Sequence, residues 1–256
     1  MSVYLKEFST HSEYDAYING SDAILPNVSI CTTEGDVHYN PYVDPCASEK
    51  VKTTYEWVEI GGVKWATKNV GAKTITDYGQ YFSWGGVNGF TADQVSGSCH
   101  SKRFNWADYE LGSGSTVSDI TKYTSSDGKT VLESVDDAAT ANMGSGWRMP
   151  TTAEYAALGN AVNTAWTADY QGSGVAGLVC TDKTDNTKVL FFPACGYCGY
   201  GSVSNVGSNG NYWSSSLTSV FVQYAYRLVF SQSNVVWQSD IDGFRYLGFP
   251  VRGVVG

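Results

Sequence analysis

Lysine and glutamate are absent from everything after Lys188 in this 256-residue chain, and methionine is absent there too. Beyond that point only Arg227, Asp240, Asp242, Arg245 and Arg252 carry charge. No apolar run is long enough for a membrane-spanning helix, so membrane insertion is not expected. The opening MSVYLKEFSTHSEYDAY has neither a basic start followed by an apolar stretch nor a small-residue cleavage site. Synthesis in the cytoplasm without a signal peptide is therefore expected. Basic charge is also scarce. Sixteen Lys and Arg against 25 Asp and Glu leave a net charge of −9, which repels phosphate backbones and excludes nucleic acid as an expected partner.

Recognisable catalytic and cofactor motifs are missing as well. His11, His38 and His100 lie far apart, with no acid or cysteine at ligand spacing. Of six cysteines, Cys195 and Cys198 have CxxC spacing, but no second pair and no following helix accompany them, which favours small packed residues over zinc or redox chemistry. The glycines from Gly172 to Gly177 fit GxGxxG, yet they precede a strand pattern rather than open a helix. No GxSxG elbow is found. Asp240-Ile241-Asp242-Gly243 has too few oxygen ligands for a calcium loop. No cofactor, no metal and no catalytic residue is expected.

What is present divides the chain at about residue 55. Residues 1–55 read as an N-terminal extension: a short helix opened by the capping box Thr10 to Glu13, a strand over residues 24–33 interrupted by Pro26, and a proline-bearing arm. Attachment, assembly, or packing of a strand pair on the main domain would each account for it. Residues 56–256 form the main domain. It opens with WVEI, Gly61-Gly62 and VKW, a hairpin signal. Residues 66–146 are turn-rich but hold Tyr81, Phe82, Trp84, Phe104 and Trp106, too many aromatics for a disordered stretch. Residues 134–143 suit a helical piece ending at Gly144. Thr151 and Glu154 form a capping box after Pro150, and Tyr155, Leu158, Val162 and Trp166 follow at helical spacing. Strands are expected over residues 177–181, 188–192, 223–230, 234–238 and 248–254.

Residues 211–247 hold nine aromatics among 37 residues, denser than the 14% of the whole chain. Aromatics beside Ser, Asn and Gly, without Lys or Glu, fit a contact surface. They fit a strand-rich core equally well. Along residues 224–229, alternation would send Tyr224, Tyr226 and Leu228 one way and Ala225, Arg227 and Val229 the other. Leu228, Phe230 and Val235 are expected in the core. Val229, Val236 and Phe244 are expected on an exposed face.

VKWATKNVGA, YGQYFSWGG, DGKTVLESVDDAATANMGSGWRMPTTAEY, FFPACGY, GSNGNYWSSS and GFPVRGV occur in order over residues 57–254. In these segments the chain resembles the Fibrobacter-type major paralogous domain, a C-type-lectin-like fold of the formylglycine-generating-enzyme subclass. It also resembles the variable proteins of diversity-generating retroelements of gut Bacteroides phages and prophages. The resemblance implies an α+β fold: a small twisted antiparallel sheet with flanking helices and long ordered loops. In those systems template adenines are mutated, so asparagine codons become many residues but never Lys, Glu, Gln, Met or Trp. Trp213, Gln223, Gln232, Trp237 and Gln238 would then belong to a fixed frame. The implied variable region is about residues 218–247, with ligand-binding candidates Phe221, Tyr224, Arg227, Val229, Val236, Ser239, Asp240, Asp242, Phe244 and Leu247.

The expected function is non-enzymatic recognition of a bacterial surface protein or glycan receptor, in a phage tail or prophage setting, with a homo-oligomer such as a trimer compatible. A fixed carbohydrate-binding module of a bacterial envelope protein and a structural virion protein are the alternatives. The cysteines of the enzyme subclass lie late in the chain and cannot be matched to Cys195 and Cys198.

Overall fold

The computed structural model describes residues 55–96, 103–219, 221–239 and 243–256. The expectations for the N-terminal extension lie outside the described residues, as do Asp240 and Asp242.

The domain opens as its sequence pattern predicts. Strand β1 (Trp57–Ile60) turns through Gly61 and Gly62 into β2 (Val63–Asn69). Both glycines have positive φ, 64° and 76°, as the two-residue turn matching strand twist demands. β3 (Tyr81–Phe82) and the short helix α1 (Ala92–Ser96) follow. The next stretch is irregular and is held by 3-10 turns at residues 106–108, 117–119 and 134–136. Helix α2 (Ala138–Met143) then starts at Asp137, whose carboxylate accepts from the Thr140 amide at 2.9 Å, and stops at Gly144 with φ of 104°. β4 (Trp147–Arg148) leads into α3 (Thr152–Ala161). Here the predicted capping box is formed: Thr151 Oγ1 accepts from the Glu154 amide at 3.2 Å, and Glu154 Oε2 accepts from the Thr151 amide at 2.7 Å. Arg148 grips both oxygens of Glu154 at 2.8 and 2.6 Å.

The helix does not continue to Trp166. It ends at Ala161, and residues 162–167 are strand β5 (Val162–Thr167). A spacing of four is also a multiple of the strand period of two, so Val162 and Trp166 share a face in either state. Cross-strand pairing decides between them: β5 pairs along its whole length with β6 (Gly177–Asp182).

The remaining strands are β7 (Val189–Pro193), β8 (Tyr197–Gly199), β9 (Ser202–Ser204), β10 (Asn209–Leu217), β11 (Ala225–Ser231), β12 (Val235–Ser239), β13 (Phe249–Pro250) and β14 (Arg252–Val255). The stretch expected as one final strand over residues 248–254 is split at Val251 and serves two sheets. β14 lies between β2 and β4 in the order β1-β2-β14-β4, while β13 pairs with β3. The other sheets are β5-β6-β7, β10-β11-β12 and the hairpin β8-β9.

This architecture overturns the expected α+β, C-type-lectin-like arrangement. The structure is mostly β, 38% strand against 17% helix, with its strands divided among several small separate antiparallel sheets. Among the described residues the three helices have five, six and ten residues, and no helix-flanked lectin fold is formed. Glycine-rich turns cut the second half into short strands; Gly196, Gly201 and Gly207 all take positive φ.

β10 shows how a serine-rich segment, NGNYWSSSL, becomes a buried strand at the edge of its sheet. Tyr212, Trp213 and Ser214 are fully buried, and Ser215 and Ser216 nearly so. Each serine finds a partner: Ser214 Oγ donates to the Tyr226 carbonyl at 2.9 Å, Ser215 Oγ to the Pro150 carbonyl at 3.3 Å, and Ser216 Oγ accepts from the Thr152 amide at 3.1 Å. Buried hydroxyls so paired avoid the penalty of lost hydration. Trp213 Nε1 donates to the Phe82 carbonyl and Trp84 Nε1 to the Ser214 carbonyl, joining β10 to the β3 region.

Arg252 is also fully buried. Its guanidinium donates to Asn69 Oδ1 at 3.0 Å and to the carbonyls of Ala66, Thr67 and Phe191 at 3.0, 2.8 and 2.8 Å. It ties β14 to β2 and β7.

Candidate aromatic binding face

Between β10 and β11 the chain turns through Thr218, whose hydroxyl donates to the carbonyls of Phe221 and Tyr224 at 2.8 and 3.3 Å. Residues 223–225 then meet residues 243–245 in antiparallel fashion. Tyr224 bridges Phe244, the Ala225 amide donates to the Gly243 carbonyl, and the Arg245 amide donates to the Gln223 carbonyl. This pairing brings Phe221, Tyr224 and Phe244 into one set. Phe221 lies 5.9 Å from Tyr224, Tyr224 4.7 Å from Phe244, and Phe244 stacks on Tyr246 at 5.5 Å.

Three further rings come from elsewhere. Trp106 stands on the 3-10 turn capped by Asn105, whose side chain accepts from the Ala107 amide at 2.7 Å, and its ring lies 4.8 Å from Tyr246 and 6.4 Å from Phe244. Tyr109 packs on Trp106 at 5.6 Å. Tyr200 occupies the tip of the β8-β9 hairpin with φ of 51°, next to Gly201 at 72°, and its ring lies 5.7 Å from Tyr246. Left-handed backbone costs a non-glycine residue about 1 kcal/mol, so the hairpin holds Tyr200 outward at some expense. At the two ends of the cluster Phe221 is 50% exposed and Tyr200 66% exposed. Trp106, Tyr224, Phe244 and Leu247 are half-buried.

Arg245 underlies the cluster. It is fully buried between two face residues, and donates to Tyr109 Oη at 2.8 Å and to the carbonyls of Tyr123, Val222 and Lys122 at 3.1, 3.1 and 2.8 Å. Its guanidinium also lies 4.7 Å from the Trp84 ring centre. One side chain therefore fixes the loops at residues 122–123 and 222–223 relative to the segment bearing Phe244 and Tyr246. Burial pulls Arg245 down from its ordinary pKa and pushes the phenols of Tyr109 and Tyr246 up. At neutral pH both phenols are held as donors.

The structure separates the sequence candidates into four groups. Phe221, Tyr224, Phe244 and Leu247 join the cluster or pack against it. Val229, half-buried, and Val236, 38% exposed, form a separate cross-strand pair between β11 and β12. Arg227 and Ser239 pair in register and are buried, with the Arg227 guanidinium 5.3 Å from the Phe249 ring. Asp240 and Asp242 lie outside the described residues. The simple alternation expected along residues 224–229 fails because the register shifts between Arg227 and Val229. Ala225, Arg227 and Leu228 are all buried, whereas Tyr226 is half-buried. Leu228 and Phe230 are in the core as expected, with Val235 packed against it.

Trp106, Tyr200 and Tyr246 were not among the candidates. The signals for them were slight: Tyr200-Gly201 between short strand-like pieces marks a turn tip, and Asn105 to Asp108 is a capping pattern that lifts Trp106 out of its loop.

Cys195 and Cys198 are buried free thiols, as is Cys180. Burial pushes Cys195 up to about 12, although Tyr212 Oη lies 3.1 Å from its sulfur. Both the latter and Asn69 belong to the Arg252 network, so the motif is packing material there. Among the described residues no group of His, Cys, Asp and Glu could hold a metal ion, and no helix is long and apolar enough to cross a membrane.

Residues 180–253 are similar to a family described as a domain of unknown function (DUF8237). That segment runs from β6 into β14 and contains Arg245, Arg252 and the rings from Tyr200 to Tyr246, but not Trp106 or Tyr109. No curated protein and no solved structure matches the chain.

Proposed function

We propose that this chain is a non-enzymatic binding protein that recognises a receptor on a bacterial surface, and that residues 218–247 are a region diversified by a retroelement in a phage or prophage. The observation that carries the binding reading is a ring cluster drawn from three separate segments, exposed at Phe221 and Tyr200, half-buried at Trp106, Tyr224 and Phe244, and held from beneath by a buried guanidinium. Protein interiors hide such rings, and an exposed apolar patch of several aromatics marks a contact surface. Large rings in a pre-arranged setting are also the side chains that contribute most to interface affinity.

The diversification reading makes its own demand on the fold. Positions that vary must tolerate many side chains, and the surroundings of the candidates rank that tolerance. Phe221 and Val236 are exposed and the least constrained. Tyr224, Val229, Phe244 and Leu247 are half-buried, so size is constrained but chemistry is not. Arg227 and Ser239 are buried, and variation there must be narrow if it occurs.

Sequencing the encoding locus across many cells or virions of one lineage tests this. Substitutions concentrated over residues 218–247, dense at Phe221, Tyr224 and Phe244 and sparing Trp213, Trp237 and Arg245, are expected. An invariant stretch would remove diversification and leave a fixed binding surface.

A further inference from the structure

The sheets of three or four strands leave edges, and all but one of these edges are covered, short or charged. β10 is bridged by residues 130–132: the Leu132 amide donates to the Ser215 carbonyl at 2.9 Å, and the Leu217 amide to the Thr130 carbonyl at 2.8 Å. β7 ends in a proline, and its Phe191 carbonyl accepts from Arg252. β12 is tied to α3, with Gln238 donating to the Thr152 carbonyl at 3.2 Å. β1 carries Glu59, and β4 has two residues. β5 has none of these devices. Its six residues, VNTAWT, include no charge and no proline. Its register with β6 runs unbroken from Val162 opposite Asp182 to Thr167 opposite Gly177, so no bulge turns the edge away. Asn163, Thr164 and Ala165 are exposed.

Neighbouring hydrogen bonds show which groups of β5 face outward. The Asp182 amide donates to the Lys188 carbonyl, so residues 178, 180 and 182 of β6 bond to β7, and residues 177, 179 and 181 bond to β5. The Lys183 amide donates to the Ala161 carbonyl in the same phase. Asn163, Ala165 and Thr167 therefore spend their backbone groups on β6. Thr164 and Trp166 direct theirs away from it, and among the described residues these groups have no partner. The Val162 amide is taken by the Leu158 carbonyl at the end of α3.

We propose that β5 is a self-association edge, on which a second copy of this chain lays its own β5 antiparallel and fuses the two β5-β6-β7 sheets into one. With the two-fold axis at Ala165, Thr164 of each copy lies opposite the partner's Trp166, and each such pair exchanges both backbone bonds. Two features favour a second copy over an unrelated strand. An uncharged strand faces itself without like charges meeting. The ends are also complementary: Lys183, whose ammonium reaches the Asn160 carbonyl at 2.8 Å, stands at the start of β5, and Asp169 lies just past its end, both exposed. Antiparallel pairing brings each toward its opposite on the other copy. This inference is independent of the ring face and goes beyond the binding reading.

Sedimentation velocity of the full chain over a range of concentrations tests it. One strand pair is a small contact, so a reversible dimer with a micromolar dissociation constant is expected. Thr164→Pro removes only an outward donor, which an edge strand tolerates, and should weaken the dimer about tenfold. Ala165→Lys sets like charges against each other at the axis and should weaken it to a similar degree, as should Ala165→Glu. Mixing Ala165→Lys with Ala165→Glu should restore a heterodimer. If Thr164→Pro melts early, the exposed position 165 supplies the comparison by itself. A monomer at every concentration would overturn the proposal. So would an oligomer that none of these variants weakens, because it would assemble through another surface. Weakening without rescue in the mixture would overturn the pairing of β5 with itself.

Discussion

Two fully buried arginines, seven residues apart in sequence, perform opposite tasks. Arg252 and Arg245 each make four hydrogen bonds, chiefly to carbonyls, and each guanidinium lies 4.7 Å from an aromatic ring. Neither is ion-paired among the described residues. Arg252 joins strands β2, β7 and β14, whose carbonyls cannot reach water without breaking sheets. Arg245 joins loops that already lie near solvent and carry the exposed rings. Similar chemistry thus serves the inner frame in one place and the presentation of a surface in the other. The energetic difference lies in what water can do when the side chain is removed.

The largest effect is expected for Arg252→Met. Three carbonyls and Asn69 lose a charged donor in a dry setting, for a loss on the order of 4 kcal/mol by chemical denaturation. Arg245→Met should cost less, about 2 kcal/mol, because loop carbonyls can be rehydrated. Hydrogen exchange should nevertheless accelerate locally at residues 221–224 and 243–247, with β2 and β14 unchanged. Equal costs, or global acceleration by both variants, would erase the distinction between frame and face.

Glu154→Gln probes the frame more gently. Burial alone would push this carboxyl up, but bonds from Arg148 and Thr151 outweigh it and hold it below the usual range. A depressed carboxyl contributes stability above its unfolded pKa and loses it as pH falls through the folded value. The variant should therefore cost about 1 kcal/mol at neutral pH, with the gap to the parent chain closing as pH falls below the usual glutamate range and through the depressed folded value. Melts across pH would show this, and a gap that widens in acid would reverse the assignment. The smallest effect is expected at the face itself: Phe221→Ala should change stability by less than about 0.5 kcal/mol. A larger drop in melting would make Phe221 part of the core.

Local signals survived folding well. The Gly61-Gly62 hairpin and the capping box at Thr151 depend on neighbours a few residues away, and both form as the sequence predicts. The sequence also pointed to the segments that hold Phe221, Tyr224 and Phe244. It misplaced Arg227 because one register shift in β11 reverses which residues face inward, and register is set by partner strands. It carried helix α3 too far because Val162 and Trp166 satisfy two periods at once, and pairing with β6 chose the strand.

The chain's amino-acid order by itself determined an aromatic C-terminal stretch without lysine or glutamate, the turns and caps that punctuate it, and a surplus of acid over base. Composition and short-range backbone preference suffice for these. Tertiary structure alone decided that the strands divide into small antiparallel sheets rather than a helix-flanked one, that Tyr212 and Trp213 are buried while Phe221 is exposed, and that Trp106 and Tyr200 join the same face. Those outcomes depend on which distant backbone groups satisfy one another's hydrogen bonds, and no local pattern encodes that choice.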